Sequence, residues 1–380
     1  MTSHGSPVHR HPLHPNVRRS PYFEQTERAG AVEYMVYNHM YMPIGYGRPP
    51  EEDYAALIER VTLWDVGAER QTQLRGVDSL RLADFLCARD IRYLEVDACR
   101  YTMVCDLAGT IMAECIVLRP AADTVWISHG DVDFTLWAQA IASRGEFDVD
   151  VSEPDVAPLQ VQGPRSLDVL RALVGEGIDA LSPYRSMRAE VAGVPLLISR
   201  TGWSGDFGFE LYPTTTERAA ELWNALLCSG EPHGILVSGP NLIRACEHGI
   251  TDTHYFVNSG MTPFEAGAGW SVDLDSGPFV GREALLEAAA SPPSRRTVGI
   301  VADQGVTLPR LESFWPVRRK GSQVGEARWA VGSIALDRHV AIALVDASVE
   351  LGDRVVIAHP QGEGSGLLVE LPFVKDRVTG

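Results

Sequence analysis

The stretch Arg200-Thr201-Gly202-Trp203-Ser204-Gly205-Asp206-Phe207-Gly208-Phe209-Glu210 constrains this chain more than any other. It leaves an apolar run read as a strand over 191–199 and ends on an acid set between Phe209 and Leu211. Gly202, Gly205 and Gly208 allow positive φ and close approach of another group, so the segment reads as a hinge. A carboxylate in such apolar company needs an N–H-rich neutral partner or a cation. Two readings fit: a bulged sheet edge carrying a paired acid, or an acid that grips a ligand.

The hydrophobic pattern around the hinge alternates short strand-like runs with amphipathic helices, an α+β texture. Helices are predicted over 53–61, 77–86, 134–142, 164–173, 216–227 and 239–247, and strands over 115–119, 124–128 and 158–161. Pro164 suits a first helical turn, where its missing N–H costs nothing. After Ser291-Pro292-Pro293-Ser294, a linker by composition, strands are predicted over 297–302, 322–329, 340–345 and 355–359, separated by glycine turns. The expected division is an N-terminal arm over 1–30, an α+β region of two lobes over 31–290 and a β-rich domain over 291–380.

Charge and cysteine use exclude several roles. With 33 basic and 50 acidic side chains the net charge is −17, which repels a phosphate backbone and argues against nucleic acid as a partner. The six cysteines show no C-x-x-C pair and no metal-ligand spacing, so neither structural zinc nor an iron–sulfur cluster is expected, and reduced thiols fit a cytoplasmic protein. Residues 1–19 are rich in His, Pro and Arg without an apolar signal-like core, and no run reaches transmembrane length. That segment reads as a mobile or surface-lying arm. A monomer or homodimer acting on a small molecule, with no membrane partner, is the expectation.

Three ordered motifs carry a resemblance. The hinge matches the pattern Arg-Thr-Gly-aromatic-Ser/Thr-Gly-x-x-Gly-Phe-Glu. Thr262-Pro263-Phe264-Glu265-Ala266-Gly267-Ala268-Gly269-Trp270, followed by Gly277 to Leu285, matches a "TPxEAGLGW … FIGREAL" run, and Val161-Gln162-Gly163-Pro164 matches "VQGP". On these residues the chain, from about Leu63 to Pro372, resembles the aminomethyltransferase family, the folate-dependent T-protein of the glycine cleavage system and its relatives. The resemblance implies a cloverleaf of two intertwined α+β lobes and a C-terminal barrel-like domain around a central hole that holds tetrahydrofolate.

Carried over residue by residue, it makes Glu210 the acid that accepts the pterin N–H donors. It makes Tyr101, in the counterpart of "YTLM", a pterin-pocket tyrosine. Trp203 stands where the family has Tyr and would stack on the ligand, Trp270 would close the same slot, and Tyr184 aligns with a further pocket tyrosine. The family's Gly-Gly-x-x-x-Asp loop, with an aspartate near folate N5, reads here Gly109-Thr110 to Glu114, so Glu114 takes that position with one more methylene.

Tyr37-Asn38-His39-Met40, Pro240-Asn241-Leu242-Ile243 and Val125-Trp126-Ile127-Ser128 resemble the dimethylsulfoniopropionate demethylase-like branch, with its "YNHM", "PNLI" and "WxS" patterns. That branch implies transfer of an intact methyl group from a small methylated metabolite to N5 of tetrahydrofolate. A sulfonium donor needs alignment and desolvation, whereas a methoxy or N-methyl donor also needs a general acid. Glu114, His39 and Tyr37 are the candidate catalytic groups, and Tyr37, His39 and Asn241 the candidate substrate contacts. If 36–42 is one strand, Tyr37, His39 and Tyr41 share a face suited to a methylated cation. No metal is expected, and His129, His248 and His254 read as surface or supporting residues. The alternatives are an aminomethyltransferase making methylenetetrahydrofolate and a non-catalytic folate-binding protein; the latter group's "KGCYxGQE" cysteine is absent here.

Overall fold

The computed structural model describes residues 13–256 and 259–375. Two sheets and a closed barrel make up its frame. The first sheet has six strands in the order Ser186–Val191, Val194–Ser199, Gly208–Pro213, Leu159–Gln162, Val61–Asp65 and Ile235–Ser238. The second has five, in the order Cys99–Cys105, Ile111–Ala121, Thr124–His129, Gln71–Arg75 and Asp150–Ser152. Val61–Asp65 enters the first sheet before any of the second is made, and the chain returns to the first sheet only at Leu159. The two lobes are intertwined for that reason.

Helices cover one face of each sheet. Ser166–Val174 and Ala219–Gly230 pack Val169, Leu170, Leu222 and Leu226 on the first. Ser79–Leu86 and Phe134–Ala142 pack Leu82, Ala83, Phe134 and Ala138 on the second. The other two faces meet through Cys99, Leu118, Trp126, Leu197 and Tyr212. Period-two alternation sorts side chains between these layers. On Ile111–Ala121, Ala113, Cys115 and Val117 go to the helix side, so Met112, Glu114 and Ile116 project the other way. On Gly208–Pro213, Phe209 and Leu211 go to the helices, which turns Glu210 and Tyr212 inward.

The closed barrel runs Arg295–Ala302, Arg338–Asp346, Ser322–Ser333, Trp315–Arg319, Arg354–His359 and Gly362–Val369. It is tied to the lobes through a buried network. Arg244, 4% exposed, pairs with both carboxylate oxygens of Asp206 at 2.8 and 3.0 Å, and Glu247 accepts Tyr54 OH (2.6 Å), Ser333 OH (2.7 Å) and the Ala335 N–H (3.0 Å). Arg244 is thus committed to this network, and it does not line the cavity described below.

Several expectations are corrected. The helix expected over 239–247 is Leu242–Glu247, because the Asn241 side chain caps it by accepting the Arg244 N–H at 2.9 Å. The strand expected over 191–199 is split by a hairpin turn at Ala192-Gly193, both with positive φ. Residues 36–42 do not form one strand either: Glu33–Tyr37 and Met40–Gly45 pair antiparallel, and Asn38 and His39, φ 49° and 62°, make the turn between them. Of the segment read as an arm, residues 1–12 lie outside the described residues, and from Ser20 the chain is packed in. Tyr22 is fully buried, stacks on Trp223 and donates to the Ala157 carbonyl at 3.0 Å. No helix among the described residues is long and apolar enough to cross a membrane.

Candidate active site

Between the inner faces of the two sheets lies a cavity of about 640 Å³, closed along one side by residues 249–252 and 266–270 and at one end by the Glu33–Gly45 hairpin. Its size is that of small-molecule sites. Tyr37, Tyr101, Glu114, Tyr184, Trp203, Glu210 and Trp270 all line it. The structure therefore brings together seven of the nine residues singled out in the sequence.

Glu210 is 5% exposed. The Gln160 amide donates to its Oε1 at 2.8 Å, and the Thr201 and Tyr212 hydroxyls donate to its Oε2, Tyr212 at 2.6 Å. Burial raises its carboxyl and the two hydroxyls pull it back. Three of about four lone-pair positions are filled, which leaves one on Oε1 for a ligand. The hinge glycines serve two ends. Gly205 takes φ 74°, while a Cβ on Gly202 or Gly208 would stand 2.4 or 2.3 Å from the Gln162 side chain. Gln162 is itself held by the Ser204 hydroxyl at 2.8 Å, so close approach fixes the hinge against the sheet.

Aromatic rings form the rest of this end. Tyr101 and Trp270 stack with centroids 5.2 Å apart, and the Arg89 guanidinium lies over the Trp270 ring at 5.6 Å. Trp270 is 62% exposed, so it stands at the mouth. Trp203 stacks at 11° on Trp329 of the barrel, which fixes its plane. Tyr184 is held at φ 57° by backbone bonds that link Arg200 to Cys99.

The opposite end is acidic. Thr253 OH donates to Glu114 Oε2 at 2.9 Å, and burial together with Asp252 pushes the Glu114 carboxyl up to about 8. Tyr37 is 7% exposed and lines the cavity, and its hydroxyl makes no hydrogen bond to a described residue. Its phenol is raised well above the usual range by burial and then by Glu114, Asp252, Glu69 and Asp131. His254 packs edge-on against Tyr37 (5.3 Å) and bridges Asp131 (3.0 Å) and Asp252 (3.4 Å), which hold it protonated up to about pH 10. His129 is buried and neutral, lowered to about 4 by burial, with Nδ1–H donating to the Gly130 carbonyl at 2.8 Å.

Two expected residues are not brought in. His39, at the hairpin tip, is solvent-exposed, pairs with Asp133 at 3.0 Å and does not line the cavity, because the turn removes it from the face of Tyr37. Asn241 is spent on its helix cap. The sequence reading missed Glu69 and Asp252. Glu69 lies in the crossing loop between the two sheets beside Arg70, a pair that reads as ordinary surface charge until Arg70 turns away to Glu153 at 2.9 Å. His254, read as a surface or supporting residue, hydrogen-bonds Asp252 of the cavity wall. Among the described residues no group of three or more His, Cys, Asp or Glu is placed to hold a metal ion.

Residues 22–276 match the family model of the GCVT N-terminal domain. The chain belongs to the aminomethyltransferase (GCVT) family. It is 35% identical over 332 residues to a dimethylsulfoniopropionate demethylase, DmdA, of Ruegeria pomeroyi, covering 87% of this chain and 90% of that one. It is 34% identical over 316 residues to an aminomethyltransferase of Streptomyces avermitilis, covering 81% and 84%. The fold is that of the glycine cleavage system aminomethyltransferase T of Bartonella henselae, with a TM-score of 0.83 at 21% identity over 95% of this chain and 99% of that one. The chain is a tetrahydrofolate-dependent transferase of this family, and tetrahydrofolate is its cofactor. The cavity fits that molecule in kind: a buried carboxylate with a free lone pair meets adjacent N–H donors, and aromatic faces meet flat rings.

Proposed function

We propose that this enzyme moves a methyl group from a small methylated metabolite, a sulfonium, methoxy or N-methyl compound, to N5 of tetrahydrofolate. The observation that carries the reading is the division of one cavity into two chemically different ends. At one end Glu210, Tyr101, Trp203, Trp270 and Tyr184 suit the bound pterin and benzoyl rings; at the other Tyr37, Glu114 and Asp252 suit a small polar methylated guest.

Bound tetrahydrofolate supplies a secondary amine nitrogen that accepts the methyl group. Glu210 holds and orients the ring system through its free lone pair. Glu114, on the neighbouring sheet, faces the second end as a carboxylate whose charge responds to what binds there. Tyr37 offers a ring face to a methylated cation and a hydroxyl to a polar substituent. The aromatic wall excludes water, so donor and acceptor meet desolvated and in fixed orientation. The alternative reading, an aminomethyltransferase producing methylenetetrahydrofolate, draws on the 34% identical relative and on the carboxylate that Glu114 keeps at the family position.

The test is incubation of the enzyme with tetrahydrofolate and a panel of sulfonium, methoxy and N-methyl compounds, with the folate products resolved by mass spectrometry. Methyl-folate from one class supports the proposal and names the donor chemistry. Methylene-folate without methyl-folate replaces it with the alternative.

A further inference from the structure

Resting on the reading above that sets the folate rings beside Trp203, we propose that Trp329 of the barrel is a positioning residue for tetrahydrofolate: it holds the Trp203 ring as a platform formed in advance, and so raises folate affinity without touching the ligand. Trp203 lines the cavity and Trp329 does not. Their planes lie 11° from parallel with centroids 5.9 Å apart, an offset stack. Trp329 thus covers part of one face of a ring that still borders the cavity, and a flat ligand ring meets its open side.

A bulge in the barrel strand Ser322–Ser333 puts Trp329 there. Ala327 and Ala330 both belong to the barrel core, with Ala341, Ala343 and Val345 of the neighbouring strand. Strict alternation from Ala327 would turn Trp329 into that core as well. The register shifts instead: Ala327 stands opposite Ala343 and Trp329 opposite Ile342, so Arg328 is the extra residue. Trp329 then joins Val331 and Ile342 on the side that packs against Tyr255, Met261 and Ala268. Arg328 pins the bulge. It is 5% exposed, its Nε–H donates to the Tyr255 carbonyl at 2.6 Å, and its guanidinium lies over the Phe314 ring at 3.7 Å. Tyr255 is tied back to the barrel through its hydroxyl, 3.0 Å from that of Thr297.

Trp203 has need of such a support. It sits between Gly202 and Ser204-Gly205, outside any helix or strand. The bond from the Ser204 hydroxyl to Gln162 fixes the loop beside it and leaves the indole torsions unset. An unsupported indole on such a loop samples several rotamers, and a ligand that stacks on it bears the cost of choosing one. Stacked on Trp329, the ring is set before folate arrives.

The test is calorimetric titration of tetrahydrofolate, kept reduced, into wild type, W329L, W329F, W203L and the W203L/W329L double variant. Leu keeps apolar contact with the lobes but has no ring face, whereas Phe retains one. W329L is expected to bind roughly threefold to tenfold more weakly than wild type, the range of an aromatic pair, and W329F within about twofold of wild type. W203L is expected to bind more weakly than W329L, and the double variant to match W203L. That last comparison separates positioning from mere support of the fold: a loosened barrel weakens binding with or without Trp203, and the two losses multiply. W329L equal to wild type, W329F as weak as W329L, or losses that multiply overturn the role of Trp329 and leave the folate end as read. W203L equal to wild type removes Trp203 from folate binding, and the inference fails with it. Each comparison is read from tetrahydrofolate binding alone, so a failure of the product panel to yield methyl-folate leaves all of them in force.

Discussion

Replacing Glu210 by Gln is the perturbation whose size the structure sets most directly. Oε1 has one lone pair free, and the Thr201 hydroxyl, 2.5 Å from Ser199 Oγ, has a second oxygen to turn to. Two adjacent N–H donors of a pterin can therefore bond to the carboxylate. Hydrogen bonds to a charged group contribute about 1.5–3 kcal/mol each and neutral ones about 0.5–1.5, so losing the bond at Oε2 and the charge assistance of the one at Oε1 costs about 2.5–4.5 kcal/mol, or roughly 10²–10³ in affinity. Gln keeps the volume and one acceptor, so the Gln160 amide stays satisfied and the fold is expected to hold. Tetrahydrofolate binding, followed by quenching of Trp203 and Trp270 fluorescence, is expected to weaken at least 100-fold in E210Q, with a thermal midpoint close to wild type. Binding within threefold of wild type, in a protein of unchanged midpoint, refutes the assignment of Glu210. A larger stability loss is expected for E210A, which strands the Gln160 and Tyr212 donors.

Glu114 adds a pH signature. Its carboxyl is raised to about 8, so it favours the folded state below the unfolded value near 4.5 and loses that contribution as pH rises through 8. E114Q is therefore expected to gain thermal stability relative to wild type between pH 5 and 8, and a constant difference across that range counts against the assignment. His254 has the same sign for a different reason: held by Asp131 and Asp252 and raised to about 10, it contributes fully below pH 6.5 and loses its effect toward pH 10. H254Q is expected to cost no more than about 1 kcal/mol at pH 7, since the imidazole is partly solvent-exposed, and the loss should vanish in melts at pH 10 to 11. Arg244 is the severe case. R244M leaves Asp206 and Glu247 buried without their cation and is expected to cost about 3–5 kcal/mol, read as a lower denaturant midpoint; a midpoint equal to wild type would show that the network does not tie barrel to lobes.

Much of the frame was legible. The helix predicted over 134–142 is Phe134–Ala142, and strands predicted at 124–128, 297–302, 340–345 and 355–359 are present with longer ends. These segments are long or strongly periodic, and local pattern alone decides them. Errors gathered at reversals. Asn38-His39 and Ala192-Gly193 turn the chain where hydrophobicity reads straight through, and in the first case a turn moved His39 from a supposed substrate face to solvent. Of the site, residues inside ordered motifs were found, while Glu69 and Asp252, in segments without a motif, were not.

The sequence by itself determined the family, the α+β lobes followed by strands, and the inward-facing acid Glu210, because that residue and its glycine hinge are local: close approach and alternation within ten residues decide where the carboxylate points. Only the tertiary structure decided how the acidic end of the cavity is put together, which brought in Glu69 and Asp252 beside Tyr37 and Glu114 and left His39 out. Tyr37, Glu69, Glu114 and Asp252 come from four separate segments whose meeting depends on how two sheets interleave. A charge beside an arginine is surface by local rule, and Glu69 becomes a half-buried acid lining the cavity only when the chain crosses between lobes and its neighbour finds Glu153 instead.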